Sequence, residues 1–199
     1  MARRKVEVRR EEILAAAEAE VTKRGFARTR VADIADALGV STALVFYHFG
    51  TKEKLFAEAL EYAVARDLAR LDAAVAKATD PVDGVRRILK LYSPQGNANG
   101  WTVWVDAWSE SLREPEMRDM SRSLDVRWKD VLAQQIREGV DAGLFVCDDP
   151  DGAAWRLSAL LDGLAVQVMV HRNLTKKQLV HWVLDTAALE LGIDPARLS

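Results

Sequence analysis

The chain has 199 residues, 49% of them hydrophobic and 29% charged, with a formal net charge of −2. That profile fits a globular protein of one or two domains and predicts no apolar run long enough to cross a bilayer. One cysteine, Cys147, excludes an internal disulfide framework and suits a reducing cytoplasm, and the basic Arg3-Arg4-Lys5 leads into Glu11-Glu12 rather than an apolar signal core.

Nearly every segment has helical periodicity. Ile13, Leu14, Ala17 and Val21 mark the inner face of a first helix, which Gly25 stops. Val31, Ile34, Ala35 and Leu38 make a short second helix closed by Gly39, and Ser41 caps a third that runs to Phe49. Gly50 ends that helix, and Thr51 caps a long fourth through Leu55, Leu60, Leu68 and Val75. Asp80-Pro81 supplies a cap and a first-turn proline for a fifth, ending near Tyr92. Ser93 to Gly100 is the clearest loop.

A sixth helix is expected from Trp101 to about Arg113, and a seventh through Met117, Leu124, Trp128 and Ile136 to Gly143. Asp149-Pro150 opens an eighth that runs to about Arg172. Thr175 with Gln178 forms a capping box for a ninth, which Gly192 and Pro195 end. No alternating β pattern competes. The fold class is all-α with about nine helices: a three-helix N-terminal helix-turn-helix domain, residues 1–55, and a helical-bundle ligand-binding and dimerisation domain, residues 56–199.

Charge is divided unevenly. Residues 1–55 hold 11 Lys/Arg against 8 Asp/Glu, whereas the remainder holds 17 against 22. A basic head on an acidic body is expected when one end meets phosphate. Within the head, Ile34, Ala35 and Leu38, the turn at Gly39-Val40-Ser41 and the small residues Thr42 and Ala43 have helix-turn-helix spacing, which presents a short helix to a DNA groove. Arg3, Arg4, Lys5, Arg9 and Arg10 read equally as a minor-groove arm or as a solvated tail.

Residues 10–60 resemble the TetR (tetracycline-repressor) family of bacterial regulators. The resemblance rests on Gly25-Phe26, Thr29, Asp33-Ile34-Ala35, Gly39-Val40-Ser41, Tyr47-His48-Phe49 and Thr51-Lys52-Glu53-Lys54-Leu55. It implies that Thr42 to Phe49 is the recognition helix, with Ser41, Thr42 and Ala43 facing base edges. It also implies phosphate contacts from Thr29, Tyr47, His48, Lys52 and the amide that opens the fourth helix. Arg30 stands where the family has Ser or Thr, and its guanidinium could reach a phosphate. Phe46 replaces a frequent Tyr and loses a hydroxyl. The stretch Trp101 to Trp108, then Arg113 to Arg118 and Ala159 to Leu164, resembles the choline-responsive, BetI-like branch.

Trp101, Trp104, Trp108 and Leu112 share one face of the sixth helix. The three indoles fill a core or wall a ligand pocket. The pocket reading names Trp104, Trp108, Met120 and Trp155, helped by Met117 and Trp128, and suits a small-molecule effector. Asp106 and Glu110 lie on the opposite face, so this helix alone builds no cation cage. The eighth helix is apolar almost all round and predicts a homodimer with Leu160, Leu164 and Val168 at its interface, joined by Val183 and Ala187 of the ninth.

Nucleophile, phosphate-loop, dinucleotide and paired-His metal motifs are missing from the sequence. An enzyme is not expected, nor is a metal or a cofactor. An architectural DNA binder without a ligand is the other rival, disfavoured by a body of about 140 residues. The expected function is a cytoplasmic DNA-binding repressor, with no membrane partner. A small-molecule effector would release it from a palindromic double-stranded operator.

Overall fold

A computed structural model describes residues 2–94 and 99–198, the side chains of 2–8, 66 and 99 excepted. The expected arm residues Arg3, Arg4 and Lys5 therefore lie outside the described side chains. Among the described residues there are nine α-helices and no strand. They are α1 (Ala2–Arg24), α2 (Val31–Leu38), α3 (Thr42–Phe49), α4 (Lys52–Ala76), α5 (Pro81–Tyr92), α6 (Asn99–Ser111), α7 (Pro115–Asp141), α8 (Pro150–Val166) and α9 (Lys176–Glu190). The end of the expected Ser93–Gly100 loop is instead helical, because α6 starts at Asn99.

The caps form where the sequence places them. Ser41 accepts from the Leu44 N–H at 3.2 Å, Thr51 from Lys54 at 3.2 Å and Asp80 from Asp83 at 2.9 Å. Thr175 accepts from the Gln178 N–H while the Gln178 carbonyl reaches back to the Thr175 N–H at 3.0 Å. Gly39 closes α2 at φ 64°, in the left-handed region that costs a side chain about 1–2 kcal/mol. After α8 the chain takes a π-helical turn, Gln167–His171, before Arg172 breaks it.

The helices gather into two compact units. One holds the described residues up to Asp67 with Asn99–Leu124, and the other those of 68–94 and 125–198. In the first, Ile13, Ala17, Ile34, Val45, Phe49 and Leu60 form the core of the three-helix head, and Phe26 meets Phe56 edge-on at 5.7 Å. The helix α6 joins this unit through a polar contact: the Asp106 carboxylate accepts from the buried Phe26 N–H at 2.5 Å. A Cβ built on Gly25, at φ 82°, would lie 3.1 Å from the same carboxylate. Close approach and backbone sign both demand glycine there.

In the second unit α5, α7, α8 and α9 enclose Val85, Ile88, Ile136, Leu157, Leu161, Leu179, Val183 and Ala187. Arg156 of α8 grips Glu190 of α9 at 2.7 and 2.9 Å, and Asp83 is held by Arg86 and Arg87. Those two guanidiniums keep the Asp83 carboxyl at about 2. One expectation is corrected here. The segment Pro150–His171 is apolar and long enough to cross a membrane by length and composition, with a mean hydropathy of 1.3. One of its faces is committed to the core through Ala153, Ala154, Leu157, Leu161 and Ala165.

The Asp106–Phe26 bond yields a stability prediction. Asp106→Ala strands a buried N–H and should cost about 1–3 kcal/mol, whereas Asp106→Asn, which keeps an acceptor, should cost less. Urea denaturation followed by circular dichroism measures both. Equal losses for the two variants would show that the hydrogen bond carries no weight.

Candidate functional site

In the head, α2 and α3 meet across the Gly39 turn, and burial decides which side of α3 faces out. Val45 and Phe49 are 1% and 5% exposed and anchor the helix. Ser41, Thr42, Ala43, Phe46 and Tyr47 are exposed, Tyr47 by 78%, and His48 is half-buried with its ring edge-on to Tyr47 at 5.4 Å. Lys52, at the start of α4, is half-buried with its ammonium over the Phe56 ring at 5.1 Å, a cation–π contact. These residues make up an exposed or half-exposed set on α3 and the start of α4. Phe46 belongs to it, although loss of a hydroxyl had removed it from the expected contacts. An exposed phenyl ring suits the methyl group of thymine.

Two head residues sit differently from expectation. Thr29 has no exposed surface, and its hydroxyl donates to the Gly25 carbonyl at 2.7 Å. It therefore ties the α1–α2 turn and cannot touch a phosphate from this position. Arg30 takes the N-cap position of α2, but the capping is done by Asp33. That carboxylate accepts from the Arg30 N–H at 2.8 Å and from its guanidinium at 3.0 Å, with Arg24 at 3.1 Å. The hydrogen bonds from Arg30 lead the forces that hold the Asp33 carboxyl at about 2. The Arg30 side chain stays 76% exposed, so its charge still faces solvent.

The four expected pocket residues do not come together in one unit. Trp104 packs against Trp108 at 6.2 Å and Trp101 against Trp108 at 6.0 Å, all half-buried in the first unit, where Met120 also lies. Trp155 belongs to the second unit and is 54% exposed, with the Lys129 ammonium 4.2 Å above its ring.

The second unit holds a cavity lined by Ile88, Leu89, Tyr92, Trp128, Leu132, Ser158 and Leu161, of which only Trp128 was among the wall candidates of the sequence. The rings of Tyr92 and Trp128 approach to 4.8 Å, and the Tyr92 hydroxyl donates to Asp162 at 3.0 Å. Burial, opposed by that hydrogen bond, raises the Asp162 carboxyl to about 6, and the nearby Asp125 adds to the rise while Lys129 opposes it. Burial also pushes the Tyr92 phenol well above its ordinary value. Lys129, itself buried, is paired with Asp125. The cluster thus carries two carboxylates against one ammonium beside two aromatic rings, which is a setting for a cation.

The expected interface splits as well. On α8 and its π-helical extension, Leu160, Leu164 and Val168 are half-buried and Val170 is 53% exposed. On α9, Val183 and Ala187 have no exposed surface and belong to the core of their own protomer, which corrects their assignment to the interface. The exposed large apolar residues of α9 are Trp182 and Leu189, 43% and 79% exposed. Among the described residues no group of three or more His, Cys, Asp or Glu side chains is placed to hold a metal ion.

A helix-turn-helix head followed by a helical unit with an aromatic-lined cavity is the arrangement of DNA-binding regulators that carry a sensing body. The pattern of bacterial regulatory proteins of the tetR family matches residues 13–59, and that of the BetI-type transcriptional repressor C-terminal domain matches residues 81–192. The chain belongs to the TetR family and is a DNA-binding transcriptional regulator; the family is one of regulators, not enzymes. It is 31% identical over 164 residues to the HTH-type transcriptional regulator BetI of Stenotrophomonas maltophilia strain R551-3, covering 79% of each chain. A transcriptional regulator from Saccharomonospora viridis, solved in complex with choline, is 33% identical with a TM-score of 0.80, covering 90% of this chain and 95% of that one. A TetR regulator from Haloarcula marismortui is 25% identical with a TM-score of 0.79, covering 94% and 97%.

The raised Asp162 carboxyl gives a signed prediction. Its proton is held more tightly in the folded chain, so its contribution to stability is full below about pH 4 and is lost as pH rises through 6. Asp162→Asn should therefore stabilise the ligand-free protein at pH 7.5, by about 1–3 kcal/mol. That gain should shrink as pH falls from 6 to 4. Thermal unfolding across this range measures it, and a pH-independent difference would remove the charge from the explanation.

Proposed function

We propose that the chain is a repressor of the cytoplasm. As a homodimer it would bind a palindromic double-stranded operator, and a small quaternary ammonium compound of the choline type would release it. The division of labour follows residues 1–55 for DNA and 56–199 for effector and dimer. On DNA, Thr42, Ala43 and Phe46 meet base edges, Ser41 brings the cap of α3 to the groove, and Arg30, Tyr47, His48 and Lys52 contact the backbone. Dimerisation uses the outward face of α8, with Leu160, Leu164, Val168 and Val170, together with Trp182 and Leu189 of α9. Burial of an apolar face that its own core leaves uncovered supports this reading.

The observation that carries the effector is the half-buried Asp162 carboxylate bonded to Tyr92, whose ring in turn meets Trp128. A trimethylammonium group binds where aromatic faces and a desolvated carboxylate converge. The choline complex of the Saccharomonospora viridis protein, a chain of 33% identity, supports the same chemistry. Rings 4.8 Å apart leave no layer for the cation between them. The seat is made when Tyr92, the last residue of α5, moves off the indole. The ligand then selects a conformer in which α5 ends differently, and only such unequal affinity for two conformers can alter DNA binding.

Fluorescence anisotropy with DNA from the flanking intergenic region tests the whole reading. Choline should lower operator affinity by roughly fivefold or more, the span of typical allosteric coupling, and Asp162→Asn should abolish the effect while leaving DNA binding intact. Effector affinity should be level above pH 6 and weaken below it, by up to about tenfold per pH unit, as the carboxylate is neutralised. Lys52→Ala should weaken all sequences alike and flatten the log–log salt slope by about 0.9, whereas Thr42 and Phe46 variants should change which bases are preferred. Operator affinity indifferent to choline at saturating concentration would count decisively against the effector assignment.

A further inference from the structure

Trp128 presents more than an aromatic face. The residue is 6% exposed, and its indole Nε1–H is buried with no hydrogen-bond partner among the described residues. Buried donors in native proteins are nearly always paired, and the exceptions call for a functional or structural reason. Here the unpaired donor sits on a residue that lines the cavity holding Tyr92 and Ser158, and every other lining side chain is aliphatic. The aliphatic side chains offer it no acceptor, and neither the Tyr92 nor the Ser158 hydroxyl pairs with it.

We propose that Trp128 Nε1–H is the second anchor of the effector site, donating to a neutral oxygen carried by the ligand a short distance from its cationic centre. This rests on the ammonium reading given above and narrows it to an ammonium alcohol or a kindred neutral oxygen compound. Two carboxylates, Asp125 and Asp162, face one ammonium, Lys129, so the cluster has a net negative charge. A ligand carboxylate brought to the same indole would be repelled by that charge. An ammonium ion without oxygen would leave the N–H unpaired. The site therefore discriminates on both sides: against the bare alkylammonium by a missing acceptor, and against the zwitterion by charge. A polar group built to meet a ligand atom is what makes such rejection strong.

Isothermal titration calorimetry on the full chain separates these possibilities with three probes: choline, propyltrimethylammonium, which replaces the hydroxyl by a methyl group, and glycine betaine, which carries a carboxylate. The wild-type protein should bind choline roughly five- to tenfold more tightly than propyltrimethylammonium, the span one neutral hydrogen bond supplies, and glycine betaine more weakly still. Trp128→Phe should bring the choline to propyltrimethylammonium ratio to within twofold of unity while still binding propyltrimethylammonium. If the phenylalanine variant does not fold, β-(3-benzothienyl)alanine at position 128 keeps the bicyclic shape without the N–H and should give the same collapse of the ratio. A ratio that survives loss of the N–H overturns the anchor and leaves the ammonium reading standing. Failure of the wild-type protein to bind either cation overturns both.

Discussion

A carboxylate inside an apolar bundle is the constraint around which the second unit is organised. Moving a charge out of water costs more than any single apolar contact returns, so the fold has to supply partners. It supplies them from two neighbouring helices. Tyr92 of α5 donates to Asp162 of α8, and Lys129 of α7 sits close enough to oppose the rise in its proton affinity. Compensation is partial, since the carboxyl still stands at about 6. An incompletely neutralised charge is a standing demand for one more cation, and a ligand can meet it. The stability lost at neutral pH and the capacity to bind thus have one physical origin.

The head obeys a different economy. Several of its polar groups are spent on shape: Thr29 on the α1–α2 turn, Asp33 on capping α2 and Ser41 on capping α3, while Asp106 of α6 holds the Phe26 N–H. What remains outward on α3 is small or aromatic, with few fixed hydrogen bonds of its own. That is suitable for a surface that must pair with base edges, since a side chain already bonded internally has to break that bond before it can read DNA. Arg30 illustrates the intermediate case, its guanidinium held by Asp33 yet largely in solvent.

Much of this was legible in the sequence because helices announce themselves locally. Ser41, Asp80, Thr175, Gly25 and Gly39 mark ends through interactions within three or four residues, and the structure keeps each of them. The errors arose where tertiary placement decides. A threonine reads alike whether its hydroxyl meets a phosphate or a carbonyl of the preceding turn, and only burial assigns Thr29 to the second. The apolar positions of α9 were assigned to a partner, yet Val183 and Ala187 are those its own protomer buries. The outward residues Trp182 and Leu189 fall on the other side of the helix, where apolar spacing is less regular. The indole run of α6 drew attention by density, whereas the cavity uses one Trp and one Tyr from α7 and α5, the Tyr bonded to an Asp of α8. Residues separated by 70 positions leave no pattern for a single sequence to display.

The same placement bears on how an effector could reach the DNA. The helices α4 and α7 each continue from residues of the first unit into residues of the second, α4 across Asp67-Leu68 and α7 across Leu124-Asp125. Lys52 opens the first of these helices, and Trp128 and Lys129 lie on the second, one turn beyond its crossing point. An uninterrupted helix cannot absorb a displacement the way a loop does, because its backbone hydrogen bonds resist a kink unless Pro, Gly or a bulge relieves it. Between Lys52 and Ala76 there is neither Pro nor Gly, and α7 has neither between Glu116 and Glu138. Trp128 of the second unit and Met117, buried in the core of the first, thus lie on one helix with no such break between them. In the first unit α6, through Asp106, is bonded to the turn that precedes α2.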